Sequence, residues 1–81
     1  MDRAEAFAKF QECVDEVLDV GADAIQPETK WQDDLEADSL SFIEITLVVD
    51  EAFGIKTPDV SPEDVVTVGQ AFAIVCEQLG I

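Results

Sequence analysis

The sequence contains no histidine and no tyrosine, and only four of its 81 residues are lysine or arginine. Without histidine, the chain lacks the usual general base, the Ser-His-Asp arrangement and the commonest transition-metal ligand. Pairs of carboxylates are abundant, but on so acidic a chain they are typical of a solvated surface rather than of glycosidase chemistry. The sequence therefore predicts a protein that is not an enzyme.

Basic residues are few, and acidic residues number 19, which gives a net charge of -15. Such a surface repels nucleic acid backbones and anionic membranes and attracts proteins with lysine and arginine patches. Because 48% of the residues are hydrophobic, the chain is predicted to fold rather than to behave as a disordered acidic tail.

Long apolar runs are absent, and cysteine occurs only at Cys13 and Cys76. Both cysteines fall in apolar helical patterns, which favours buried free thiols over a disulfide. The first residues show neither a signal peptide nor a membrane span, so we expect a cytoplasmic protein. We also expect it to be a monomer.

Helical periodicity appears in three long segments. Apolar residues recur every three or four positions from Arg3 to Val20, and Gly21 is predicted to cap that helix in the left-handed conformation. A second helix is predicted from Ser39 to Phe53, stopped by Gly54, with more apolar surface than one buried face requires. The last helix follows the capping box of Thr67 and Gln70 and is closed by Gly80.

Between the first two helices lies a long polar loop, residues 22–38, in which Ile25, Trp31 and Leu35 are predicted to pack on the core. A fourth, short helix is predicted from Ser61 to Val66, since Ser61 is a good N-cap and Pro62 suits the first helical position. The pattern predicts an all-α bundle of three long helices and one short helix.

The central motif is the run Asp38-Ser39-Leu40, where an N-cap residue is followed by a serine in the first turn of the second helix. Backbone N–H groups are unpaired at such a position and the helix dipole is positive, so a phosphate on Ser39 would be stabilised. The residues alone are also compatible with a simple capped helix.

In its wider setting, Asp34-Leu35-Glu36-Ala37-Asp38-Ser39-Leu40 resembles the motif of the acyl carrier proteins, and the resemblance extends from the first helix to Leu79. It implies a four-helix carrier-protein bundle with a long first loop, occupying residues 1–81 as a single carrier domain. It further implies that Ser39 carries a covalent 4'-phosphopantetheine arm, whose thiol holds acyl groups as thioesters.

The resemblance also implies partners and a recognition surface. A phosphopantetheinyl transferase would modify Ser39, with Asp38 beside the reaction. An acyltransferase or acyl-ligase, ketosynthase-type enzymes and other pathway enzymes would dock through basic patches. The matching recognition residues are Leu40, Glu44, Leu47, Asp50 and Glu51.

Two positions depart from the common motif. Glu36 stands where the family usually has glycine, so the turn before the second helix is expected to differ, and so is the choice of transferase. Phe42 stands where fatty-acid carriers often have a smaller residue near the acyl pocket, and an inward Phe42 would fill that pocket. An inward Phe42 suggests a carrier that buries its cargo poorly and serves polyketide or other secondary-metabolite assembly, with a fatty-acid pathway also open.

Two alternative functions stay open, and the residues argue against a third. An aminoacyl or peptidyl carrier is the nearest alternative, and an acidic inhibitor or DNA mimic is a more remote one. A calcium loop would place Asp34, Glu36 and Asp38 at its first, third and fifth positions. That loop would then have Ser39 in place of its glycine and Ile45 in place of its final glutamate, so no metal site is predicted.

Overall fold

Three α-helices make up the regular structure of this computed structural model, which describes residues 1–58 and 60–81. Helix α1 spans Arg3–Leu18, α2 spans Ser39–Phe53 and α3 spans Val68–Leu79. A single turn of 3-10 helix, Ala22–Ala24, interrupts the first loop. The all-helical prediction is confirmed, because the described residues contain no strand beyond one isolated bridge.

Helix α1 ends earlier than the sequence predicted. The left-handed C-cap is Asp19, with φ of 54°, rather than Gly21. Asp15 explains the difference. Its backbone carbonyl accepts from the Asp19 N–H at 2.7 Å, and its side-chain carboxylate accepts from the Gly21 N–H at 2.7 Å. The chain is thereby turned away from the helix axis before Gly21.

The short helix predicted at Ser61 is a hydrogen-bonded turn. The Ser61 carbonyl accepts from the N–H groups of Asp64 and Val65 at 2.9 and 3.1 Å, and the Asp64 carboxylate accepts from the Ser61 N–H at 3.1 Å. The Ser61 hydroxyl donates to the Asp64 carboxylate at 3.1 Å rather than capping a helix, and Val65 and Val66 leave the helical path because the Val66 carbonyl accepts from the Trp31 N–H at 3.0 Å. A long-range bond thus ends the segment after one turn.

The first loop is attached to the start of α3 by backbone hydrogen bonds. The Val68 and Gly69 N–H groups donate to the carbonyls of Thr29 and Pro27, each at 2.8 Å. Trp31 is fully buried, and its indole N–H donates to the Thr67 carbonyl at 3.0 Å. The prediction that Trp31 pins the loop is confirmed, as is the burial of Ile25, whereas Leu35 is only partly buried.

A chain of aromatic rings joins the three helices to this loop. The Trp31 ring meets Phe10 of α1 at 6.3 Å and Phe42 of α2 at 5.3 Å between centroids, both edge to face. Phe10 in turn lies 5.5 Å from Phe72 of α3. This arrangement sets the orientation of α2, whose first turn carries Ser39.

Both cysteines lie in the core. Cys13 and Cys76 are free and buried, as predicted. Burial raises the pKa of the Cys13 thiol, and the neighbouring Glu16 adds to the effect. In the described part of the chain, no helix is long and apolar enough to cross a membrane.

Candidate functional site

Ser39 is the first residue of α2, and its side chain is exposed. The predicted N-cap is confirmed: the Asp38 carboxylate accepts from the Ser41 N–H at 2.8 Å, and the Asp38 carbonyl accepts from the Phe42 N–H at 2.9 Å. The N–H groups of Ser39 and Leu40 precede the first residues that can bond within the helix. A serine hydroxyl and backbone N–H groups without partners inside the helix therefore share the solvent-facing end of α2.

The Asp38 carboxylate is held in its ionised form. The N–H of Ser41 lowers the pKa of Asp38, and the Ser41 side chain and the Leu40 N–H lower it further. A carboxylate with a lowered pKa is a weak base at neutral pH. Asp38 is therefore suited to capping α2 and poorly suited to removing the proton of the Ser39 hydroxyl.

The turn before α2 is built around Glu36, which has φ of 53°. This left-handed conformation is one that glycine adopts readily and that a side chain makes unfavourable. The neighbouring Ala37 is buried, and its N–H donates to the Trp31 carbonyl at 2.8 Å. The turn therefore keeps a backbone conformation suited to glycine even though glutamate occupies the position.

The outer face of α2 combines exposed apolar and acidic side chains. Leu40 and Leu47 are 66% and 63% exposed, and Glu44 and Glu51 are also exposed. Ile43, which the sequence prediction did not assign to this face, is 51% exposed. The spacing of Leu40, Ile43 and Leu47 by three and four residues was the signal that would have identified it.

Asp50 differs from the other predicted recognition residues because it already binds within the chain. Its carboxylate accepts from the Thr57 N–H at 2.9 Å and also from the Thr57 hydroxyl. The side chain is partly buried, and it holds the segment after α2 against the helix. Asp50 thus has a structural role in addition to the predicted partner contact.

The interior beneath α2 has very little free space. Phe42 is 2% exposed and points into the core. A cavity of about 20 Å³ lies beside it, bordered by Trp31, Ile45 and Val75 among others. That volume is close to the minimum for one water molecule, so an acyl chain does not fit without rearrangement.

Open grooves lie outside the core, between α2 and the segment that follows it. One groove, of about 280 Å³, is lined by Ser39, Ile43, Val60, Ser61, Pro62 and Asp64. Another, of about 490 Å³, also reaches Ile43 and Val60, and includes Lys56 and Thr57. The surface next to Ser39 therefore offers both apolar and hydrogen-bonding contacts.

This geometry fits a phosphodiester attached at Ser39. The hydroxyl is accessible, and the positive end of the α2 dipole favours the phosphate charge. The adjoining groove suits an arm of alternating methylene and amide groups because it presents Ile43 and Val60 beside Ser61. No cluster of three or more potential metal ligands occurs among residues 1–58 and 60–81.

Comparison with known proteins agrees with this geometry. Residues 8–71 match the family model described as "Phosphopantetheine attachment site". The chain is 40% identical over 76 residues to a protein of Picosynechococcus sp. named "Acyl carrier protein", covering 94% of each chain. It is also 40% identical over 77 residues to a protein of the same name from Rubrobacter xylanophilus, covering 95% of each.

Proposed function

The chain belongs to the acyl carrier proteins, a family that carries 4'-phosphopantetheine, and from this membership we propose that Ser39 is the attachment residue. The observation that carries the proposal is the exposed Ser39 hydroxyl at the capped N-terminus of α2. Once bound, the arm supplies a terminal thiol that holds acyl groups as thioesters.

The chain accepts the arm but does not catalyse its attachment. The Ser39 oxygen forms the new bond to phosphorus as the pyrophosphate bond of coenzyme A breaks, adenosine 3',5'-bisphosphate leaves, and the serine proton must go to a base. Asp38 is a poor candidate because its pKa is lowered by the Ser41 N–H. With no histidine in the sequence, the base comes from the phosphopantetheinyl transferase.

Carrier proteins of this family interact with a transferase and with the enzymes of their pathway. For this chain, the docking surface proposed is the outer face of α2: Leu40, Ile43, Glu44, Leu47, Asp50 and Glu51. Exposed acids attract basic patches on acyltransferases, acyl-ligases and ketosynthase-type enzymes, while the apolar residues fill shallow hollows. Such contacts form and separate quickly and weaken with salt. Fast separation lets the carrier leave one enzyme and bind the next.

The cargo proposed is an acyl group that stays outside the helical core. The rings of Phe42 and Trp31 pack edge to face in the interior and leave a cavity of about 20 Å³. The grooves beside Ser39 are larger, so the arm and its cargo lie there or on a partner enzyme. This arrangement favours polyketide or another secondary-metabolite route over the storage of long fatty acyl chains.

Intact mass measured after incubation with coenzyme A and a promiscuous phosphopantetheinyl transferase tests the attachment residue. The unmodified wild-type protein is expected to gain one phosphopantetheine, and Ser39→Ala is expected to gain none. Ser41→Ala is the matched control, since it removes a hydroxyl from the same turn of α2, and it should be modified like wild type. Modification of Ser39→Ala would refute the proposal.

A further inference from the structure

The two open grooves beside α2 form one continuous surface. The groove of about 280 Å³ begins at Ser39, and the larger groove, of about 490 Å³, extends to Leu47 and Asp50. Ile43 and Val60 line both grooves, so the two meet at these residues. A chain attached at Ser39 can therefore pass from the first groove into the larger one.

The length of the arm matches the position of the larger groove. Thr46 and Asp50, which line that groove, lie about 10 and about 16 Å from Ser39 along the axis of α2. A phosphopantetheine arm has about 12 bonds between its phosphate oxygen and its sulfur, as many as about four residues of backbone, and so extends to about 14 Å. The thioester and the first carbons of the acyl group therefore fall within the larger groove.

The larger groove is open to solvent rather than enclosed in the core. Ile43 and Leu47 on its α2 side are 51% and 63% exposed. Thr46, Thr57 and Val60 line both this groove and the core cavity of about 20 Å³, so these three residues separate the two. A purely alkyl cargo gains little in such a groove, because its surface stays largely in contact with water.

Lys56 supplies the side-chain hydrogen-bond donor of the larger groove. The Thr46 hydroxyl donates to the Ile43 carbonyl at 2.7 Å. The Thr57 hydroxyl donates to the Asp50 carboxylate, so both hydroxyl protons are used inside the protein. Among the described residues that line the groove, Lys56 is the only cation; it is exposed, and its ammonium has three N–H donors. An acyl oxygen that accepts a hydrogen bond therefore matches Lys56.

The charge around the groove favours a neutral oxygen over a carboxylate. Asp50 lines the same groove as Lys56, and the whole chain has a net charge of -15. An acyl carboxylate is repelled by this charge, whereas a keto oxygen is not. A keto group on the third acyl carbon also lies just beyond the thioester, where the arm's length brings it to the level of Asp50.

We propose that the larger groove is a binding site for a short 3-oxoacyl group, with the Lys56 ammonium donating to its keto oxygen. The inference rests on the proposed attachment at Ser39 and specifies the cargo that the groove favours. Lys56 positions the acyl group, and no covalent bond forms or breaks. The net strength of one solvent-exposed hydrogen bond is small, so the acyl group remains free to move onto a partner enzyme.

The test compares acetoacetyl and butyryl groups, which have the same number of carbons. A promiscuous phosphopantetheinyl transferase attaches each from its coenzyme A thioester, and proton–nitrogen correlation NMR spectra are compared with those of protein bearing the unacylated arm. Acetoacetyl should shift the amide signals of Lys56 and Thr57 about 2- to 10-fold more than butyryl does, because butyryl lacks the keto oxygen. Its methyl protons should also show nuclear Overhauser contacts to the Thr46 or Thr57 methyl group.

Two variants identify the donor. Lys56→Met removes the ammonium and keeps an unbranched side chain, so the acetoacetyl shift at Thr57 should fall to the butyryl level. Lys30→Met is the matched control, since it removes one positive charge from an exposed residue that lines neither groove. It should retain the wild-type difference between the two acyl groups.

Equal shifts from the two acyl groups in wild type would overturn the proposal. It would also be overturned by an acetoacetyl shift that survives in Lys56→Met or disappears in Lys30→Met. Intact mass, measured before the spectra, separates the two inferences. A wild-type protein that gains no acyl-phosphopantetheine would refute the attachment and the site together, whereas loaded protein without the predicted shifts would refute only the site at Lys56.

Discussion

Asp38 links the stability of α2 to pH. Its folded-state pKa is lowered by the Ser41 N–H, so its stabilising contribution is complete above the unfolded-state pKa of about 3.9 and is lost as the pH falls through the lower folded-state value. Asp38→Asn retains an N-cap oxygen but does not titrate. Wild type should therefore have the higher Tm at about pH 7, and the difference should shrink below about pH 4.

Thermal unfolding of both proteins across this range, followed by circular dichroism, provides the measurement. At about 1 M salt the repulsion between Asp38 and the other carboxylates is screened, so the difference between the two Tm values there reports the capping interaction of Asp38. A difference that stays constant from neutral to acidic pH would contradict the assigned cause.

Phe42 determines whether the helical core can admit an acyl chain. Phe42→Val should enlarge the cavity beside Trp31 and destabilise the protein by less than the roughly 3–5 kcal/mol of a Phe→Ala change. Loading with an octanoyl rather than an acetyl thioester should then raise the Tm of Phe42→Val, because the longer chain fills the new space. Wild type should show no such gain.

Phe72→Val serves as the control for that experiment, since Phe72 packs on Phe7 and Phe10 and does not line the cavity. It should be destabilised without gaining stability from octanoyl loading. Equal stabilisation of loaded wild type would show that the native core opens for cargo, and the proposed route would lose its support.

At the scale of elements, the contact between α3 and the first loop depends on Gly69. A Cβ at this position would lie 2.9 Å from the Pro27 carbonyl oxygen, which also accepts the Gly69 N–H. Gly69→Ala should therefore destabilise the protein by roughly 1–2 kcal/mol despite the higher helix propensity of alanine. Denaturant unfolding measures the change.

Ala73→Gly provides the comparison within the same helix. Ala73 is exposed, so this change should cost about 1 kcal/mol through helix propensity alone. If Gly69→Ala instead stabilised the protein, the close approach of the loop to α3 would not constrain this residue, and the contact would have to be looser than described.

Local signals predicted the elements that are governed by local chemistry. Asp38, Gly54, Thr67 and Gly80 were correctly predicted as caps because a cap depends on neighbouring residues. The end of α1 was misplaced because the Asp15 side chain, rather than the position of Gly21, decides where the helix stops. Side-chain bonds of this kind are not visible in periodicity.

Long-range backbone pairing could not be predicted in the same way. The bonds from Trp31, Val68 and Gly69 join residues 35 to 42 positions apart, and nothing in either segment alternates like a strand. Because of these bonds, the segment predicted as a short helix is a turn, and the first loop is held against the start of α3. For the site, Ser39 was found from its motif, and the spacing of Ile43 from Leu40 and Leu47 was a sequence signal that the prediction did not use, whereas the strain at Glu36 required coordinates.

At the scale of the whole molecule, the net charge of -15 acts over dimensions of only 29 × 26 × 19 Å. At about 0.01 M salt the screening length is about 30 Å, so every acidic residue is repelled by the others. At about 1 M salt the screening length falls to about 3 Å. Adding sodium chloride over this range should therefore raise Tm by reducing self-repulsion.

A variant with Glu12→Gln, Glu16→Gln and Glu77→Gln should show a smaller rise, because three exposed negative charges are removed from α1 and α3. A Tm independent of salt, or an equal response in the variant, would contradict self-repulsion. The assignment of residues 1–81 to one carrier domain stays a prediction at this scale.

The central claim, that Ser39 bears the arm, is tested most directly by locating the added mass within the unsubstituted protein. Peptide mapping of the modified chain by tandem mass spectrometry, with fragmentation that preserves the side-chain phosphodiester, distinguishes Ser39 from Ser41 in the same turn and from Ser61 across the groove. If Ser39 bears the arm, every fragment retaining Ser39 carries phosphopantetheine and fragments lacking it do not. Phosphopantetheine on Ser41 or Ser61, with Ser39 unmodified, would contradict it.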